Sequence, residues 1–159
     1  MADIKQKFGS ANQAMTITIA SLTNGSAREG TAIDNTTDLF FDVKVTVKVK
    51  SGASGTSTSG SVNVYAYATV DGGSNYTSGC TGSDAAYSGR LNNLLYLGSI
   101  DVVANATTYS ATFNLSRAFG YGGIPAKWGI VIENQSGGTL DATGGNHSAI
   151  YQGVYAQAA

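Results

Sequence analysis

Residues 39–50 read Leu-Phe-Phe-Asp-Val-Lys-Val-Thr-Val-Lys-Val-Lys. Leu39, Phe41, Val43, Val45, Val47 and Val49 share one parity, and Asp42, Lys44, Thr46, Lys48 and Lys50 fill the other. This is the period-2 pattern of a β-strand with one buried face. A helix would scatter the same valines around its circumference, and β-branched side chains suit a pleated surface better than a helical one. Leu39 and Phe41 are therefore expected on the buried face. At full length the strand would run roughly 40 Å, long enough for its end to reach a neighbouring molecule.

The rest of the chain repeats that pattern in shorter form. Met15, Ile17 and Ile19 alternate with threonines. Residues 62–70 place Val62, Val64, Ala66, Ala68 and Val70 on one face and Tyr65 and Tyr67 on the other, and Asp71-Gly72-Gly73 ends the run with turn chemistry. Further strands are expected around Leu94–Val103, Tyr109–Leu115, Lys127–Glu133 and Ala149–Ala156, the one at 127–133 central because it is nearly all apolar. Ser116–Tyr121 has room for one helical turn. The Gly- and Ser-rich residues 74–93 read as a long excursion, and Ser51–Ser61 as a mobile loop between neighbouring strands. Seven or eight strands with no long helix close their apolar faces most simply as an all-β, two-sheet antiparallel sandwich of jelly-roll type. Residues 1–13 read as a polar N-terminal arm, and 14–159 as a single sandwich domain.

Charged residues make up only 12% of the chain and the formal net charge is -1. Phosphate binding needs clustered cations, so nucleic acid is not an expected partner; Lys44, Lys48 and Lys50 read as a solvated outer face. The chain has a single cysteine, Cys80, which excludes an intrachain disulfide. Neither an apolar signal segment at the start nor a run of membrane-spanning length is present, so synthesis in a cytoplasm and no membrane partner are expected.

Residues capable of chemistry are few. Cys80 and the only histidine, His147, could form a nucleophilic pair in space, yet no local signature marks either. Asp71, Asn75, Asp84, Asp141 and Asn146 lie in Gly-rich loops and offer oxygen ligands for calcium, but the spacing of a calcium loop is missing, and such residues ordinarily cap turns. Glu29 and Glu133 are the only glutamates, too few and unmarked for a glycosidase pair. The expectation is a protein that is not an enzyme, with no cofactor and no metal.

Nine tyrosines against one tryptophan point to surfaces instead. Tyr65 with Tyr67, and Tyr151 with Tyr155, each share a strand face; if outward, these faces suit a subunit interface or stacking on sugar rings. Ile4 and Phe8 of the arm are the matching candidates for docking on a neighbour.

The polar arm, the Thr- and Asn-rich alternating strands, the segment Trp128-Gly129-Ile130-Val131-Ile132-Glu133-Asn134-Gln135-Ser136-Gly137 and the C-terminal Tyr151-Gln152-Gly153-Val154-Tyr155 together resemble small all-β virion structural proteins of tailed bacteriophages. That resemblance implies a capsid decoration or cement protein, or a tail-associated one, present in the virion after synthesis in a bacterial host. It implies a homo-oligomer held to a capsid or tail protein through symmetric contacts. A carbohydrate- or receptor-binding jelly roll on a tail or fibre, with a glycan as partner, is the alternative.

Overall fold

The computed structural model describes residues 3–158. Residues 1, 2 and 159, the outermost positions of the expected arm and domain, lie outside that range. Eleven strands follow in order: β1 (Ile4–Phe8), β2 (Gln13–Ala14), β3 (Ala27–Glu29), β4 (Ile33–Asp34), β5 (Asp42–Lys50), β6 (Ser61–Thr69), β7 (Ala85–Tyr87), β8 (Leu95–Asp101), β9 (Thr108–Asn114), β10 (Lys127–Gln135) and β11 (Ser148–Ala158). One helical turn, α1 (Ser116–Phe119), stands where the sequence leaves room for it. Seven strands have five residues or more. The other four are two or three residues long, too short to show a period.

Two antiparallel sheets result, ordered β1-β11-β5-β9 with β2 also on β11, and β7-β3-β10-β6-β8 with β4 also on β10. The pairs nest in sequence: β1 with β11 outermost, then β3 with β10, β5 with β9, and β6 with β8 innermost. A chain doubled back on itself in this way and rolled into two layers is a jelly roll.

The core lies between the layers. Val43, Val45, Val47 and Val49 of β5 are wholly buried and face Val62, Val64 and Ala66 of β6 and Trp128, Ile130 and Ile132 of β10. A second, smaller cluster covers the outer face of the second sheet, where residues 71–94 fold over Tyr67, Val131 and Ala27 and contribute Cys80, Tyr87 and Leu94. Burial on both faces explains the nearly continuous apolar run of β10.

Several expectations change. β5 begins at Asp42, and Leu39 and Phe41 are exposed while Phe40 is buried. The cause is a turn built on Asn35, whose amide side chain donates to the Phe40 carbonyl at 3.0 Å and accepts from its N–H at 2.8 Å. Leu39 stands in that turn at φ +52°, and Phe41 is a bend that bonds the Val154 carbonyl out of register, so regular alternation starts only at Asp42 and the strand spans nine residues within the domain. Met15–Ile19 is extended but unpaired as a strand, because it crosses between sheets, with Met15 bonded to Ala149 and Thr16 to Thr31. The 51–61 loop likewise joins strands of different sheets, and hydrogen bonds from Gly52 to Thr139 and from Ser57 to Ser136 pin it against the 134–139 turn.

Candidate interaction surface

Within the N-terminal arm, residues 4–8 read Ile-Lys-Gln-Lys-Phe and form an edge strand. All five pair with the end of β11, from Ile4 opposite Ala158 to Phe8 opposite Val154. On its other side β11 pairs with β5 only over residues 148–154. Beyond Val154 the two strands therefore run on as a two-stranded ribbon that leaves the sheet. An isolated ribbon of this kind is marginal in water, and here every β1 side chain and residues 156–158 are exposed.

Pairing register sorts the ribbon into two unlike faces. Opposed residues in an antiparallel pair point to the same side, so Ile4, Gln6 and Phe8 share a face with Val154, Ala156 and Ala158. Ile4 is 78% and Phe8 52% exposed. Lys5, Lys7, Tyr155 and Gln157 occupy the opposite face, where the Lys7 ammonium sits 5.8 Å from the centre of the Tyr155 ring.

At the root of the ribbon the sandwich is open. Tyr151 and Tyr155 have the parity of Ala149, a core residue, so their shared face points into the sandwich and not outward. Both are half-buried at its mouth. Tyr151 stands perpendicular to Trp128 at 5.6 Å, and Tyr155 lies 6.2 Å from Phe40, which seats on Gly153. Together Phe40, Tyr151 and Tyr155 wall a cavity of about 430 Å³ whose other side carries Ser10, Gln13 and Asp38. Burial, and then the charge of Asp38, raises the Tyr151 phenol above its ordinary value. Hydroxyl, amide and carboxylate groups thus face aromatic rings, an arrangement able to hold a polar side chain or a sugar ring. An adjoining apolar groove behind Phe40 is lined by Leu39, Phe41 and Ile124.

Other candidate residues lie apart from this end. Tyr67 is wholly buried beneath the 71–94 excursion and donates to the Gly30 carbonyl at 2.5 Å, so it forms no outer surface. Tyr65 is half-buried, tilted against Tyr96 at 5.4 Å, and donates to Glu133; burial first, then that carboxylate, pushes its phenol up to about 12. Cys80 is packed on the second sheet, and burial followed by the charge of Glu29 pushes its thiol up to about 12. His147 instead accepts from the Lys50 N–H at the end of β5, in the first sheet, and has no contact with Cys80. Glu29 accepts from Thr81 and Ser83, and Glu133 from Asn63, Tyr65 and Gln135.

Asp71 and Asp141 cap their own turns, whereas Asp84 ties its loop to residues distant in sequence and pairs with Arg28. Asp71 accepts from Thr69, Gly73, Ser74 and Asn75; Asp84 from Thr18 and Arg28; Asp141 from Thr143 and Asn146. Among the described residues no three His, Cys, Asp or Glu side chains converge on a point where a metal ion would sit. Of the outer lysines, Lys50 pairs with Asp141 at 3.8 Å and Lys48 reaches the Gly145 carbonyl, which leaves Lys44 the most open of the three. No described helix is long and apolar enough to cross a membrane.

Lys5, Lys7, Ala156 and Ala158 are the surface residues that sequence reasoning missed. For the two lysines a signal is present in the alternation of Ile4, Gln6 and Phe8 with Lys5 and Lys7, inside a segment whose polar, irregular composition reads as an arm. No protein-family model matches the chain, and no curated protein matches it.

Proposed function

We propose that this chain is a non-enzymatic structural protein of a tailed-phage virion, a capsid decoration or cement protein that binds the particle through the β1–β11 ribbon and the open end of the sandwich. One observation carries the reading: a ribbon leaves the body of a rigid jelly roll with Ile4, Phe8, Ala156 and Ala158 exposed on one face. Exposed apolar surface on a projecting element marks an interaction site. Leu39 and Phe41, exposed at the mouth beside Phe40, extend apolar surface at the same end. Weak contacts repeated by symmetry around a particle sum to firm attachment, which suits a domain with so few charges.

The test is quantitative mass spectrometry of virions purified from cultures expressing the gene. The chain is expected at a fixed ratio to the major capsid protein; its absence from the particles would remove the reading. A second reading, a glycan-binding module, is favoured by the aromatic wall of Tyr151 and Tyr155 facing Asp38 and Gln13. Binding on a glycan array, lost in Tyr151→Ala, would support that reading, and an array without hits would count against it.

A further inference from the structure

We propose that the free edge of β1 is a strand-addition site for an extended segment of a different protein, one with acidic residues on one face and apolar residues on the other. The identity of that protein as a virion component rests on the assembly reading; the chemistry of the edge does not.

The backbone comes first. Gly9 N–H donates to the Gly153 carbonyl at 2.9 Å, in line with the register of β1 on β11. Hydrogen-bonded and non-hydrogen-bonded pairs alternate along an antiparallel ladder, so Lys7 and Lys5 also direct their backbone groups at β11. The N–H and C=O groups of Ile4, Gln6 and Phe8 then point to the free edge, where no described strand meets them. An added strand would form its hydrogen-bonded pairs with these three residues. It would meet Lys5 and Lys7 in the closer, non-hydrogen-bonded pairs, where side chains interact most strongly.

Those two lysines decide the occupant. A second copy pairing through all five residues of β1 would set Lys5 against Lys7 of its mate, twice, in the closest cross-strand positions. Like charges directly opposite are destabilising, and edge lysines are a known means of preventing self-pairing. Prevention of aggregation does not by itself account for Ile4 and Phe8, which are exposed on the other face of the same strand. Both features fit a strand with Asp or Glu opposite Lys5 and Lys7 and apolar residues opposite Ile4 and Phe8, held by main-chain bonds and sorted by alternate side chains.

The experiment uses the full chain and two blocked synthetic peptides, one of the pattern Val-Glu-Thr-Glu-Val and one with both acids replaced by lysine, followed by amide NMR. The acidic peptide is expected to shift and protect the amides of Ile4, Gln6 and Phe8, and to do so less as salt is added. Lys5→Glu with Lys7→Glu is expected to weaken that binding about thirtyfold and to transfer the preference to the lysine peptide. Both side chains are exposed, so the variant keeps the fold, checked by the emission of buried Trp128. Three results overturn the inference: no protection of these amides, equal binding of both peptides, or protection that appears with protein concentration alone, which would make the occupant a second copy. A chain found in virions whose edge ignores the peptide loses this inference and keeps the assembly reading. Peptide capture by a chain absent from virions does the reverse.

Discussion

Tyr67→Phe isolates one hydroxyl in the most deeply covered part of the second sheet. The ring is fully buried, so its apolar burial is the same in wild type and variant. What changes is a 2.5 Å hydrogen bond to the Gly30 carbonyl. Losing a buried neutral hydrogen bond costs about 1 kcal/mol, and the carbonyl left behind adds desolvation, for a total of about 2 kcal/mol. In a domain of this size that corresponds to roughly 4–8 °C in the thermal midpoint. The assay is built in: the chain has one tryptophan, Trp128, which is fully buried and reports unfolding by its emission. Tyr96→Phe is the control, since Tyr96 is 57% exposed and its change should stay within about 0.5 kcal/mol. If Tyr67→Phe were as stable as wild type, the hydroxyl would not be bonded in the interior, and the claim that the 71–94 excursion seals this face would fail.

Three further outcomes are expected. Gly153→Ala places a methyl group 2.3 Å from the Phe40 ring and should cost about 1–3 kcal/mol in urea denaturation; an unchanged midpoint would mean that Phe40 does not seat there. Cys80, with its thiol pushed up to about 12 by burial and by Glu29, should resist a disulfide reagent at pH 8 in the native state and react on unfolding, and rapid native labelling would contradict that burial. Asp141 is held at about 2, chiefly by the Asn146 amide and the Thr143 N–H, against an ordinary 3.8. Its folded value is the lower one, so its stabilisation is complete above the ordinary value and fades as pH falls towards 2. Asp71, lowered mainly by the Thr69 hydroxyl, adds to that slope. Asp84 adds to it as well: burial opposes its ionisation, but the bonds from Arg28 and Thr18 outweigh it. Denaturation midpoints between pH 5 and 2 should decline less steeply in Asp141→Asn, and an identical slope would remove Asp141 from the acid response.

Long strands were legible in the chain because one face meets a core and the other meets water or polar cover. Val43–Val49 and Val62–Ala66 show that contrast directly, and their sequence periods match the buried faces. Local alternation cannot report what lies above a face. Tyr67 occupies the side of β6 opposite the small aliphatics, as its parity requires, yet a chain segment distant in sequence covers it. Tyr151 and Tyr155 pose the converse case, since their inward face becomes a surface only where the sandwich opens. Leu39 and Phe41 carried the right parity, but Leu39 falls in the Asn35 turn and Phe41 in the bend before β5, where the alternation does not yet hold. For the ribbon the alternation of β1 was visible, but its pairing with residues 154–158 at the far end of the chain was not.

The proposed attachment to a virion through the terminal ribbon is measured directly by particle occupancy. Virions purified from cultures expressing either the full chain or a variant lacking residues 1–8 would be analysed by quantitative mass spectrometry, with folding of both proteins checked by Trp128 emission. The expected result is a fixed ratio of full chain to major capsid protein, and particles nearly free of the truncated chain although it remains folded. Full chain missing from the particles, or truncated chain retained at the same ratio, would contradict it.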